Sequence, residues 1–244
     1  MTAFVLILAL QAADAELARI EEWSKGQPDN GLGKAGIADE YYKTSKKFPK
    51  EKARFMDKAN EFWLAGWPTL QEFHQEKIRE NLRKIYAGPG PGGRALGNGW
   101  SVGQFVKADV STAIVHYGSF SMRVLPQKTN IGLAEGVKIK VNVQPDKEHI
   151  FSLWSLSDGV DGEETCVLHV YDASGKEVQT QVSPLPKDTP IWAPIKWTFT
   201  PPVGATNAIF IYLTASKKGT IYLDDFSLKV NGTEVFKDGG FEGK

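Results

Sequence analysis

The sequence predicts an α+β protein in which a helical region precedes an all-β sandwich. Three observations support this: helical spacing of apolar residues over 16–87, a Gly/Pro stretch at 88–93, and short alternating segments separated by turn residues over 94–244. Alternating glycine and proline sustain neither helix nor strand, so 88–93 is the predicted domain boundary. The 244 residues, 41% of them hydrophobic, suffice for two such domains.

The first 15 residues form a signal-like apolar segment. The apolar run from Ala3 to Leu10 is too short to span a membrane, and Ala13-Asp-Ala15 has the small-x-small pattern of a signal-peptidase site. Only the basic start of a secretory signal is missing. Two hypotheses stay open: the remains of a secretory signal, or a retained apolar helix start that packs into an assembly.

Helices are predicted within residues 16–87, and no catalytic motif accompanies them. One apolar stripe with helical spacing comprises Phe55, Met56, Ala59, Phe62 and Trp63. A further helix is predicted to open near Pro68 with a capping box from Thr69 to Glu72, and 27–33 is predicted to be a loop. His74 has nearby acids but no His-Glu-x-x-His pattern, so a ligand role for it is not favoured.

Five strands are predicted at 137–143, 150–156, 165–171, 208–214 and 221–230. Alternation predicts which side chains face the core. In the third strand the predicted core residues are Cys166, Leu168 and Val170, which leaves Val167, His169 and Tyr171 outside. In the fourth, the predicted core residues are Ile209, Ile211 and Leu213, which leaves Phe210, Tyr212 and Thr214 outside.

Two adjacent carboxylates, Asp224 and Asp225, interrupt the last of these strands. Consecutive strand positions point to opposite faces, so one carboxylate is expected to face inward and to need a partner. Calcium suits such a site because it takes six to eight oxygen ligands, and Glu242 is the natural second acid. The alternative is a solvated Asp-Asp pair in a turn.

Four segments in order resemble the galactose-binding-like β-sandwiches, especially carbohydrate-binding modules of families four, nine and twenty-two. They are Gly99-Trp100, His116–Val124, Trp197–Leu213 and Tyr222–Leu228, and the resemblance covers roughly 93–244. It implies a jelly-roll sandwich that binds glycan. It also implies a structural calcium ion held by Asp225 or Asp224 and by Glu242, with carbonyls near Gly118.

The same resemblance gives an incomplete sugar cleft. Tyr171 matches a cleft tyrosine of the xylan-binding members, whereas 127–133 lacks their tryptophan and Thr214 stands where they carry a glutamate. Sugars bind where an aromatic ring meets the apolar face of a pyranose and polar groups reach its hydroxyls. The predicted ligand-binding residues are Tyr171, His169, Tyr212, Thr214 and the loop residue Trp192; the alternative is that the tyrosines are ordinary exposed sheet residues.

The family's opening strand, with a Gly-Gly-Phe-Glu-like motif, is missing before Gly99, and a copy stands at the C-terminus as Asp238–Glu242. An open sheet edge would invite pairing with another chain. We therefore predict that Val235 to Glu242 is the missing strand, supplied within the chain or to a neighbour. The alternative is that it begins a further repeat.

The composition of the chain argues against some classes of binding partner. The 29 basic and 29 acidic residues balance, which argues against nucleic acid or an anionic membrane surface as the partner. The lone Cys166 allows no intramolecular disulfide. The first hypothesis is a secreted or surface, non-catalytic glycan-binding protein. The second is a structural subunit of an extracellular filament or surface layer, a homo-oligomer or polymer assembled through its helices and C-terminal strand.

Overall fold

The computed structural model describes residues 2–85, 96, 99–103, 106–116, 118, 120–126, 134–185, 188–236 and 241. The chain divides into two compact units, Met1–Asn81 and Leu82–Lys244. Helices come first and two antiparallel sheets follow, so the predicted α+β class is confirmed. The predicted boundary at 88–93 lies outside the described residues and remains a prediction.

Four helices make up the N-terminal part of the chain. They are α1 (Thr2–Ser24), α2 (Gly31–Ser45), α3 (Lys52–Gly66) and α4 (Glu72–Ile85), with single 3₁₀ turns at Pro49–Glu51 and Trp67–Thr69. The core between α2 and α3 contains Tyr41, Phe55 and Trp63. The predicted stripe on α3 is thus largely buried, and this burial stabilises the pair because apolar area leaves water.

The start of α2 and the end of α3 approach each other through two glycines. A Cβ atom at Gly31 would lie 3.0 Å from the carbonyl oxygen of Gly66 and 2.7 Å from Oγ1 of Thr69. Any larger residue at Gly31 would therefore push the two helix ends apart.

Two local predictions for the helical region are wrong. Residues 27–33 are not wholly a loop, because Asn30 caps α2 by accepting a hydrogen bond from the Gly33 amide at 2.9 Å. Thr69 does not cap α4, since its hydroxyl donates instead to the Gly66 carbonyl at 3.0 Å. That bond ties the turn to the end of α3.

Eleven strands lie within the described residues of the second unit. They are β1 (Trp100–Val102), β2 (Val106–Ser111), β3 (Ser121–Pro126), β4 (Ala134–Asn142), β5 (His149–Asp158), β6 (Glu164–Asp172), β7 (Glu177–Pro184), β8 (Ala193–Phe199), β9 (Ala205–Thr214), β10 (Thr220–Val230) and β11 (Thr233–Glu234). All five strands that the sequence predicted are present, within a few residues of their predicted ends.

The strands form two antiparallel sheets, as the predicted galactose-binding-like sandwich requires. One sheet has the order β1-β4-β9-β6-β7, and the other has the order β2-β3-β10-β5-β8 with β11 beside β10. The core between them is rich in aromatic rings: Phe210 stacks on Phe151 at 4.8 Å and lies 5.6 Å from Trp197. The predicted core position of Trp197 is confirmed.

The C-terminal segment returns to the sandwich of its own chain. The Val235 amide donates to the Leu228 carbonyl at 2.8 Å, and the Phe241 ring lies 5.7 Å from Phe226 and 5.8 Å from Trp100 in the core. The predicted strand over Val235 to Glu242 is not seen in its described residues, because the strand ends at Glu234. The remainder, including Glu242, lies outside the described residues.

Candidate functional site

The outer face of the five-stranded sheet carries the predicted ligand residues of β6. Cys166, Leu168 and Val170 are buried between the sheets, so His169 and Tyr171 point away from the core and are half-buried. The orientation predicted for β6 is therefore confirmed for His169 and Tyr171, whereas Val167, also predicted to lie outside, is buried. On the neighbouring β7, His169 is opposite Thr180, and Tyr171 is opposite Glu177.

The orientation predicted for β9 is wrong. Phe210 and Tyr212 are fully buried and Thr214 is 1% exposed, whereas Ile209 and Ile211 lie on the outer face. Tyr212 and Thr214 therefore cannot contact a ligand on that face. The error has a physical cause: both faces of this strand are apolar, so alternation carries no information, and the large rings fill the space between the sheets.

The predicted rim platform, Trp192, is also wrong. Its side chain is fully buried, and its ring lies 5.3 Å from that of His116. His116 in turn stacks on Trp154 at 4.1 Å. Trp192 thus belongs to an aromatic cluster with His116 and the half-buried Trp154, and its own ring offers no surface to a sugar.

The polar part of the outer face is a connected network. His169 Nδ1 lies 2.7 Å from Glu177 Oε2 and 3.1 Å from Thr180 Oγ1, and the Thr180 hydroxyl donates to Glu177 Oε1 at 2.5 Å. A carboxylate can only accept, so Nδ1 carries the proton that points at Glu177, and in a neutral imidazole Nε2 is then an acceptor. The hydrogen bond from Thr180, aided by His169, lowers the pKa of Glu177.

Tyr171 lies beside this network. Its ring centroid is 6.2 Å from that of His169, and across the other edge of β6 its pairing partner is Asn207. One aromatic ring is thus bordered by imidazole, carboxylate, hydroxyl and amide groups. Sequence reasoning missed Glu177, Thr180 and Asn207 because it predicted no strand at 177–184 and gave β9 the opposite orientation.

The remainder of the outer face is aliphatic in the middle and basic along β4. Ile209, Ile211 and Leu213 are half-buried on β9, and Val182 on β7 is 61% exposed. On β4, Val137 and Ile139 are buried, while Lys138 and Lys140 occupy the outward positions. These lysines, too, were not among the predicted ligand residues.

Asp224 and Asp225 occupy a β-bulge in β10, where the pairing with β5 shifts register. Asp224 is fully buried; its Oδ2 accepts from the His116 amide at 2.9 Å and its Oδ1 from the Asp225 amide at 2.8 Å. Asp225 has a positive φ of 49° and places Oδ2 2.6 Å from His116 Nδ1. The expectation that an inward carboxylate finds a partner holds for Asp224, and its partners include main-chain amides.

Calcium fits this donor set in part. No cluster of three or more His, Cys, Asp or Glu side chains is found within the described residues, and Glu242 lies outside them. The side chain of Asp225 is 29% exposed. A carboxylate has about four lone-pair sites, so the contact with His116 leaves lone pairs that can coordinate a hard cation. The chemistry at Asp225 is therefore compatible with calcium.

A second carboxyl group lies inside the sandwich. Glu164, the first residue of β6, is 3% exposed, and the hydroxyls of Ser157 and Tyr212 lie beside it. Burial raises the pKa of Glu164 to about 7, and the two hydroxyls oppose part of that rise. The same burial, with the nearby Glu164, raises the pKa of the Tyr212 phenol.

One cavity of about 400 Å³ lies at the end of β4, and its lining includes none of the predicted ligand residues. It is lined by the C-terminal ends of β4 and β10 and by the segment after β11: Ile139, Lys140, Asn142, Val230, Val235 and Phe236, among others.

No helix within the described residues is long and apolar enough to cross a membrane.

Comparison with known proteins gives similarity of fold. No family model and no curated protein matches the sequence. Among solved structures, the C-terminal family 22 carbohydrate-binding module of Clostridium thermocellum Xyn10B is 18% identical, with TM-score 0.42, covering 62% of this chain and 98% of that one. The CBM22-1 xylan-binding domain of Paenibacillus barcinonensis Xyn10C is 14% identical, with TM-score 0.40, covering 59% and 96%.

Larger proteins match over a similar share of the chain. The enzymatically active domain of bacteriophage CBA120 tailspike protein 4 is 12% identical, with TM-score 0.47, over 55% of this chain and 19% of that one. The CBM22-1-GH10 modules of Clostridium thermocellum xylanase 10B are 16% identical, with TM-score 0.46, over 55% and 26%. This chain therefore spans about a fifth to a quarter of the length of those two proteins.

Proposed function

We propose that the sandwich is a non-catalytic glycan-binding module of an exported or cell-surface protein, with its ligand on the outer face of the five-stranded sheet. The proposal rests on one observation. Glu177 on β7 and Asn207 on β9 are the cross-strand partners of Tyr171, and His169 lies two residues before it on β6. A pyranose stacked on Tyr171 would have hydrogen-bonding groups along its edge.

The charged side chains described on this face favour glycan binding over glycan hydrolysis. Among the described outward side chains, Glu177 is the acidic one, and its oxygens already accept from His169 and Thr180. Glycoside hydrolysis generally uses two carboxyl groups on either side of the bond. We therefore assign these residues to recognition, with Nε2 of His169 as the ring nitrogen that can accept from a sugar hydroxyl.

The proposal is tested with Tyr171→Ala in the full chain, measured by affinity electrophoresis through gels containing xylan, β-glucan, galactomannan or polygalacturonate. We expect at least one of these polymers to retard the wild type, and the variant to bind it about tenfold more weakly. The control is Trp23→Ala, an aromatic on α1 that is 41% exposed. If no polymer retards the wild type, or if Trp23→Ala has the larger effect, the proposed site is wrong.

We further propose that a calcium ion held by Asp225 and Glu242 stabilises the sandwich without taking part in ligand chemistry. The support is the partly exposed carboxylate of Asp225 and its hard oxygen donors. An ion that binds only the native state stabilises it by about 2.7 kcal/mol at one hundred times Kd. We expect a chelator to lower the melting temperature of the wild type.

Asp225→Asn should abolish that chelator effect, whereas Asp146→Asn should leave it intact. Asp146 is the matched control because it is exposed and also has a positive φ, 56°, which asparagine tolerates. Equal melting temperatures of the wild type with and without chelator would rule out a stabilising calcium ion.

A further inference from the structure

The cavity at the end of β4 borders the outer face of the five-stranded sheet. Lys140 and Asn142 stand at alternate positions near the end of β4, and both are exposed on the outer face. The same two residues line the cavity. The cavity and the outer face therefore meet along the end of β4.

The strand register connects this end of β4 to the proposed glycan site. Asn142 pairs with Asn207, and Asn207 pairs with Tyr171. Asn142 and Tyr171 are thus in one cross-strand row, two strands or roughly 10 Å apart. Lys140 shares a neighbouring row with His169 in the same way. A sugar chain that stacks on Tyr171 and follows these rows across the sheet reaches the rim of the cavity.

The walls of the cavity are largely apolar and come from both sheets. Val143, directly after β4, is buried, and so are Leu228 and Val230 on β10 of the other sheet. The segment after β11 closes one side, where Phe236 is half-buried and Val235 is 45% exposed. The cavity is therefore an opening between the two sheets with valine, leucine and phenylalanine side chains inside it.

An apolar group suits these walls better than a sugar ring does. Sugar hydroxyls would lose water against valine, leucine and phenylalanine without gaining partners from those side chains, and that loss costs free energy. An apolar group gains from the same walls because its surface leaves water. The volume of about 400 Å³ lies within the usual range of small-molecule sites, and the ring of Phe236 can pack edge-to-face or offset against a second ring.

We propose that this cavity is a subsite for an apolar substituent of the bound glycan, an aromatic acyl group linked to the sugar chain as an ester. The inference rests on the proposed glycan-binding function and adds a chemical class to its ligand. Tyr171 binds the sugar chain, and Asn142 lies where the chain meets the cavity. Val230, Val235 and Phe236 contact the aromatic ring.

The experiment measures retardation of the full chain in gels that contain xylan, β-glucan, galactomannan or polygalacturonate. Each polymer is used unmodified, lightly O-acetylated, and lightly O-benzoylated to the same degree. The two ester forms have lost the same number of hydroxyls, so the difference between them reports the contribution of the ring. For at least one polymer we expect the benzoyl form to bind about tenfold more tightly than the acetyl form, because the ring removes more apolar area from water.

Two variants narrow the cavity from different sides. Val235→Trp adds bulk at its exposed side, and Val230→Phe adds bulk at its inner wall. Each should abolish the preference for the benzoyl form and leave binding of the unmodified polymer unchanged. The control, Val203→Trp, changes a valine that is 81% exposed and does not line the cavity, so it should keep the preference. Circular dichroism establishes that each variant is folded.

Each outcome separates this inference from the function on which it rests. Equal binding of the benzoyl and acetyl forms, weakened in Tyr171→Ala, would overturn the subsite and leave the glycan-binding face in place. A benzoyl preference that survives in both Val235→Trp and Val230→Phe would mean that the ring binds elsewhere, which also overturns the subsite. If no polymer in any form retards the wild type, both the subsite and the glycan-binding function are wrong.

Discussion

At the scale of single residues, two buried carboxyl groups differ in the hydrogen-bond donors around them. Asp224 is fully buried yet receives two main-chain amides, whereas Glu164 is almost as deeply buried beside hydroxyl groups. Amide donors favour the charged form of a carboxylate, and desolvation favours the neutral form. Glu164 is therefore a group whose protonation is linked to folding near neutral pH.

Glu164 predicts a loss of stability with rising pH. Its folded pKa, about 7, exceeds its ordinary value of 4.5, so its contribution is fully present below about pH 4.5 and is lost as pH rises through 7. The upper limit is about 3 kcal/mol of unfolding free energy. In urea titrations from pH 4.5 to 8.5, Glu164→Gln should lose this dependence, and Glu163→Gln, its exposed neighbour, should keep it.

The wild type and Glu164→Gln are compared by the difference in unfolding free energy at each pH, which cancels groups common to both. Parallel curves over this range would mean that the folded pKa of Glu164 is near its ordinary value.

At the scale of elements, residue alternation succeeded for β6 and failed for β9. In β6 the inward Cys166, Leu168 and Val170 alternate with a histidine and a tyrosine, so one face is distinctly polar. In β9 both faces are apolar, and the buried set is the one with the bulkier rings. A strand that is apolar on both faces is oriented by its neighbours: Leu168 pairs with Phe210 and Cys166 with Tyr212.

The C-terminal segment shows the same dependence on distant residues. The motif at its end predicted a strand, but the described part places Phe241 in the core against Phe226 and Trp100 instead. A single aromatic ring inserted between the sheets contributes burial whether or not its backbone joins a ladder. The possibility that this segment belongs to a neighbour remains a prediction for the assembled state.

At the scale of the whole molecule, the alternative function is assembly into an extracellular filament or surface layer. The helical unit exposes Leu32 by 57% and Phe73 by 74%, which is apolar surface that contact with another copy would bury. We expect the full chain and a variant lacking residues 1–15 both to be monomeric in light scattering over a range of concentrations. Long polymers from the full chain alone would favour the filament subunit.

The sequence by itself determined the α+β class, the order of helices before strands, the five best-marked strands and the outward positions of His169 and Tyr171. It could do so because periodicity and turn residues act locally along the chain. Tertiary structure alone decided that Tyr212, Thr214 and Trp192 are buried, that Lys140 shares a row with His169, and that Asp225 contacts His116. Strand register and the filling of space between sheets fix these features, and both depend on residues far apart in the sequence.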